Sequence, residues 1–199
     1  MDNKWNKLQE IADESNGIIK TSQIEEEGLS RTILKKYVDD HLLVRESQGI
    51  YTLNNAMKDE YKVLQARSQR MVFSYGTALY LHGMSDRVPH IIDVTVPQGY
   101  NASRIKRENS NVRFHYVGNE LWDMGLVAVN TPLGNSVIVY DKERCICDLI
   151  HSKRNIDKQL YTQAIKEYFG GNYNLRKIIK YSKRFGIEEI VRSYLEVLS

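Results

Sequence analysis

The chain has 199 residues, 42% of them hydrophobic, which is enough to bury the core of one large or two small domains and argues against wholesale disorder. Its 28 Lys and Arg against 25 Asp and Glu leave a net charge of +3, and no apolar run approaches the roughly 20 residues that span a bilayer. Residues 1–70 hold 11 basic against 12 acidic side chains and residues 71–199 hold 17 against 13, so any nucleic-acid binding by the first part must come from placement of charge rather than its total.

Trp5, Leu8, Ile11 and Ala12 recur at helical spacing and predict a first helix over 3–15, ended by Gly17. Thr21 or Ser22 caps a short second helix carrying Ile24, with Glu25, Glu26 and Glu27 outside. Gly28 permits a sharp turn, and Ser30 then caps a third helix whose apolar set is Ile33, Leu34, Tyr37, Val38 and Leu42. Leu43 to Leu53 reads as a hairpin turning at Gln48-Gly49. Helix, turn, helix, strand, tight turn, strand is the order of a winged helix-turn-helix over residues 1–55.

Removing the apolar set of the third helix leaves Arg31, Thr32, Lys35, Lys36, Asp39 and Asp40 outside, cations first and acids last. Helix-turn-helix proteins bring the N-terminal half of this helix to base edges. Arg31 and Lys35 are thus placed for bases and Lys36 for a phosphate, with Thr32 beside them as a further DNA contact, Lys20 and Thr21 on the backbone and Arg45 and Gln48 on the wing. The acidic run Glu25-Glu26-Glu27 favours the other reading, a trihelical protein-interaction module.

Ala56 to Arg70 reads as a charge-mixed helical connector anchored by Tyr61 and Leu64. From there to residue 199 the texture is that of a mixed α/β domain ending in a helical bundle, and the fold class expected for the whole chain is α+β. Ser74 caps a helix through Ala78, Leu79, Leu81 and His82, ended by Gly83. Strands are expected at 91–96, 112–117, 125–131 and 136–140. Asp141 starts a helix through Cys145, Ile146, Leu149 and Ile150. Three more follow at 157–169, 174–185 and 187–198; the second should hide Leu175, Ile178, Ile179 and Phe185, and the third Ile187, Ile190, Val191, Tyr194, Leu195 and Leu198.

The helix over 174–185 carries Arg176, Lys177, Lys180, Lys183 and Arg184 and no acid. That composition marks either a solvated face or a second nucleic-acid contact, and Arg104, Lys106 and Arg107 add a second basic loop.

Catalytic constellations are weak. Cys145-x-Cys147 has the wrong spacing for a zinc knuckle and reads as buried thiols; the five histidines are scattered. Asp93 resembles a metal-binding acid on a strand, but no second carboxylate follows at close spacing, and Asp86 falls in a loop. Neither catalysis, nor a metal, nor a cofactor is expected. Met1-Asp2-Asn3-Lys4-Trp5 lacks a signal-peptide pattern, so a cytoplasmic protein without a membrane partner is expected.

Two patches carry a family resemblance. One is Ser74-Tyr75-Gly76-Thr77-Ala78-Leu79-Tyr80-Leu81-His82-Gly83-Met84, leading to Pro89 and Asp93-Val94-Thr95-Val96-Pro97. The other is Thr131-Pro132-Leu133-Gly134-Asn135, followed by Val139-Tyr140-Asp141-Lys142-Glu143-Arg144-Cys145-Ile146-Cys147-Asp148-Leu149-Ile150. With the N-terminal segment, the chain resembles the AbiEi family of abortive-infection, type IV antitoxins and transcriptional regulators. The resemblance implies autorepression of a toxin–antitoxin operon through inverted repeats, and neutralisation by residues 71–199 of a nucleotidyltransferase-like toxin without a stable complex. The rival reading is a one-component repressor whose second domain senses a ligand or a protein.

Overall fold

The computed structural model describes residues 3–198. It divides into two compact units, Met1–Gln69 with Leu133–Asn135, and Arg70–Pro132 with Ser136–Ser199.

In the first unit, α1 (Asn3–Glu14) buries Leu8, Ile11 and Ala12 at the expected helical spacing. The chain reverses through Asn16 and Gly17, both at positive φ, with Gly17 N–H donating to Ala12 O at 2.7 Å. A strand that the sequence pattern does not reveal, β1 (Ile18–Lys20), then leads directly into α2 (Thr21–Glu26). Neither Thr21 nor Ser22 caps α2. Lys20 holds that position, and the Gln23 side chain accepts from its N–H at 2.8 Å.

After Gly28, at φ +72, comes α3 (Thr32–Asp39), which buries Leu34 and Tyr37. Arg31, not Ser30, occupies its N-cap position; the Ser30 hydroxyl accepts from Thr32 N–H at 3.4 Å. The helix ends before Leu42, which is 40% exposed, because the chain turns at His41 with φ +57 and delivers Leu43 to the core instead. Strands β2 (Leu43–Ser47) and β3 (Ile50–Leu53) form the expected hairpin, and with β1 they make an antiparallel sheet of order β1-β3-β2. The core joins Leu8, Ile11, Ile19, Ile24, Leu34 and Leu43, with Trp5 edge-on to Tyr37 at 5.0 Å between ring centroids. Helix α4 (Glu60–Ala66) is anchored by Val63 and Leu64; Tyr61 is only half-buried, and Val63 packs with Ile18 and Ile50.

The second unit holds a five-stranded sheet of order β6-β5-β4-β8-β7. These strands are β4 (Val72–Phe73), β5 (Ile92–Pro97), β6 (Val112–Val117), β7 (Leu126–Asn130) and β8 (Ser136–Tyr140). Pairing is parallel for β4 with β8 and for β5 with β6, and antiparallel for the other two neighbours. All six residues of β5 are buried, as befits a strand covered on both faces. Around the sheet run α5 (Tyr75–Leu81), α6 (Ser103–Glu108), α7 (Asn119–Trp122), α8 (Lys142–His151), α9 (Lys158–Phe169), α10 (Leu175–Phe185) and α11 (Glu188–Leu198). The basic stretch at Arg104–Arg107 is therefore helical, part of α6, with Ile105 its buried side chain. Asp141 caps α8 by accepting from Arg144 N–H at 2.8 Å, and every residue from Glu143 to Ile150 is buried. Two expected core positions lie outside: Leu175 is 53% exposed and Ile190 46%.

Candidate nucleic-acid interface

With 3.6 residues per turn, α3 buries Leu34 and Tyr37 and turns Thr32, Lys35, Lys36 and Asp39 outward on one side. Lys35 and Lys36 form no ion pair among the described residues; Lys36 extends over the Tyr37 ring, 5.7 Å from its centroid. Beside them, a cleft of about 380 Å³ is lined by Lys4, Gly28, Leu29, Ser30, Thr32, Ile33 and Lys36. Its lining brings two lysines together with the paired hydroxyls of Ser30 and Thr32, 2.9 Å apart.

The hairpin stands next to the start of α2. Thr21 N–H donates to Gly49 O at 3.0 Å, so that backbone donor is engaged within the unit. Gly49 sits at φ +76 and carries Gln48 and Arg45, both exposed, at and near the turn. Lys20 is half-buried at the junction.

Arg31 differs from the other expected contacts. Its Nε donates to Glu25 Oε1 and its Nη2 to Oε2, the latter at 2.9 Å, a two-pronged ion pair across the Gly28 turn. This pair holds the Glu25 carboxyl below its ordinary range and raises the Arg31 guanidinium, chiefly through the side-chain hydrogen bond between them. Two further acids of the unit are paired as well: Glu27 with Lys7 at 2.5 Å and Glu46 with Lys58 at 2.6 Å. Internal pairing thus offsets three acids of a nearly neutral unit, while Lys35, Lys36 and Arg45 are left without an ion pair among the described residues. Glu25 and Arg31 lie six residues apart on either side of the Gly28 turn, and no helical or strand periodicity relates them.

On α10, the five cations do not share one free face. Lys177 turns inward, its Nζ 2.8 Å from Asp141 Oδ2 and 3.5 Å from Glu143 Oε2. Tyr181 OH donates to Asp141 Oδ2 at 3.1 Å and Tyr168 OH to Glu143 Oε1 at 3.2 Å, so Lys177 completes a buried polar cluster. Arg184 lies 3.7 Å from Glu120 and Lys183 3.9 Å from Glu188. Arg176 and Lys180 stay exposed without an ion pair among the described residues.

Several buried titratable groups of the second unit have structural partners. Arg144 is fully buried; its Nε donates to both oxygens of Asp148 at 3.1 Å and its Nη1 to the carbonyls of Leu121 and Met124. Nη2 has no hydrogen-bond partner among the described residues; the guanidinium carbon lies 3.9 Å from the Tyr140 ring centroid and 5.0 Å from that of Phe185, which offsets part of that loss. Burial pushes Asp148 up to about 6 despite Arg144. His82 Nε2 donates to Tyr140 O at 2.7 Å, and burial lowers its pKa. His115 Nε2 donates to Asp93 Oδ1 at 2.8 Å, with the ring lying on Tyr75 at 4.0 Å between centroids. Cys145 and Cys147 are buried thiols, both with raised pKa through burial. Among the described residues no group of three or more His, Cys, Asp or Glu is arranged to hold a metal ion, and no helix is long and apolar enough to cross a membrane.

No protein-family model matches the chain, and no curated protein does. Among solved structures it is similar to the crystal structure of the RV2827C protein from Mycobacterium tuberculosis, with a TM-score of 0.55 and 14% identity, covering 95% of this chain and 79% of that one. At that identity the likeness speaks to the fold alone, a mixed α+β architecture.

Proposed function

We propose that this chain reads duplex DNA through its first unit, acting as a winged helix-turn-helix, and that it is a cytoplasmic antitoxin which represses its own operon. The observation that carries the DNA reading is the outer face of α3, where Thr32, Lys35 and Lys36 stand clear at its first turns while Glu25 and Glu27 of the preceding segment are held in ion pairs. In this reading the first turns of α3 enter the major groove, Lys35 meets base edges, Lys36 a phosphate, and Arg45 and Gln48 the backbone beside the groove. Two protomers occupy an inverted repeat.

The antitoxin half rests on the sequence resemblance of residues 74–97 and 131–150. These segments contribute α5-β5 and β8-α8 to the second unit, where most of the side chains of those elements are buried, and no catalytic residue is assigned to them. The partner is a nucleotidyltransferase-like toxin, countered without a lasting complex.

The test is binding of the full chain to the DNA upstream of its own gene, against scrambled duplex, across a salt series. Preference for the upstream DNA, with log affinity falling linearly with log salt, is the expected result. Equal binding to both duplexes overturns the repressor reading. Co-expression with the toxin encoded beside it is expected to restore growth, and continued toxicity overturns the antitoxin half.

A further inference from the structure

We infer that Glu25 is a specificity-determining residue of the α3 face: it neutralises Arg31 toward DNA in general, and the guanidinium is released only where a guanine edge replaces the carboxylate. This rests on the DNA reading above. Arg31 offers Glu25 the same two-pronged fork, Nε and Nη2, that clasps O6 and N7 of guanine in the major groove. The two acceptors compete for one set of donors, so Arg31 reads a base or holds Glu25 and does not do both.

The turn between the helices fixes the competition. Leu29 N–H donates to Ile24 O at 2.8 Å and Gly28 takes φ +72, which keeps the end of α2 beside the start of α3. Both side chains are well exposed, 69% for Arg31 and 43% for Glu25, so the pair opens at small cost when a better partner arrives. While it is closed, Arg31 and Glu25 together add no net charge to the face. Non-specific binding, which counts phosphates neutralised, therefore gains nothing from Arg31. At a specific site the guanidinium exchanges the Glu25 carboxylate for the two acceptors of guanine, and the exposed Glu25 carboxylate is taken up by water.

The experiment uses the full chain with upstream and scrambled duplexes in a salt series. The proteins are wild type, Glu25→Gln, the doubly neutral Glu25→Gln/Arg31→Gln, and Lys35→Ala as a reference. Glu25→Gln is expected to tighten binding to scrambled duplex by about two- to five-fold and to steepen its salt slope by about one, so that the preference for upstream DNA falls. The doubly neutral protein is expected to keep the wild-type slope on scrambled duplex and to prefer the upstream site less than wild type does. An unchanged preference and slope in Glu25→Gln overturns the inference, as does weaker upstream binding, which makes Glu25 itself a reader. If wild type shows no preference while Lys35→Ala binds as wild type does, the DNA reading itself has failed, a result separate from the others.

Discussion

The N–H of Thr21 donates to the carbonyl of Gly49, and the Thr21 hydroxyl oxygen lies only 3.3 Å from where a Cβ on Gly49 would stand. The start of α2 and the tip of the β2–β3 hairpin are thus fitted to one another at a residue that has no side chain.

Gly49→Ala therefore meets two obstacles, a φ of +76 and the crowding by Thr21, whereas Gly17→Ala at φ +84 has nothing within 4 Å and meets only the first. The backbone term costs about 1–2 kcal/mol in either variant. Chemical denaturation should show Gly49→Ala as the less stable of the two. Equal losses would mean that Thr21 yields without cost.

Lys35 and Lys36 project from one side of α3 without an ion pair among the described residues. If Lys36 meets a phosphate, Lys36→Ala should weaken binding to upstream and scrambled duplexes alike and lower the salt slope by about one. Lys35→Ala should weaken the upstream duplex more than the scrambled one, with a loss of about 1–3 kcal/mol for a base contact. Filter-binding or fluorescence titration checks both, and equal behaviour of the two variants would remove the assigned division of roles.

Lys177 serves the fold rather than an outer surface. Lys177→Met should destabilise the protein by about 1–3 kcal/mol, because Asp141 and Glu143 lose their shared cation. Lys180→Met, at an exposed position, should leave the unfolding midpoint within about 0.5 kcal/mol of wild type. Reversal of that order in urea denaturation would return Lys177 to the solvent face.

Asp148 gives a pH signature whose sign follows from burial. Its pKa rises from an ordinary 3.8 to about 6, so the protonated carboxyl is the form the folded protein favours. The stability this contributes is fully present below pH 3.8 and lost as pH rises through 6, on the order of 3 kcal/mol in all. Comparing wild type with Asp148→Asn cancels the other titrating groups. The difference in their unfolding free energies should move against wild type between pH 4 and pH 7, and movement the other way would show that Arg144 outweighs desolvation.

Several elements were legible because their burial is periodic or their ends are capped. Leu8, Ile11 and Ala12 announced α1; Gly28 and Gly49 marked turns that require positive φ; Asp141 announced α8. Strands β1 and β4 were not legible, since two or three residues carry no alternation, and α6 was hidden because Ile105 is its one buried side chain. The slip from Leu43 to Leu42 came from extending the helical period past His41, where the backbone turns. Cations on the candidate interface could be read from spacing along α3. Their partners could not: Glu25 reaches Arg31 around a turn, and Lys177 is claimed by carboxylates at the start of a helix far earlier in the chain.

The parallel register of Phe73 with Val139 sets an order of events as well as a shape. The sheet of the first unit pairs strands lying between Ile18 and Leu53, so its loops are short and its closure is fast. The central pairing of the second sheet waits for a strand synthesised much later. On a ribosome, every residue of the surface assigned here to DNA has been synthesised while β4 still lacks β8.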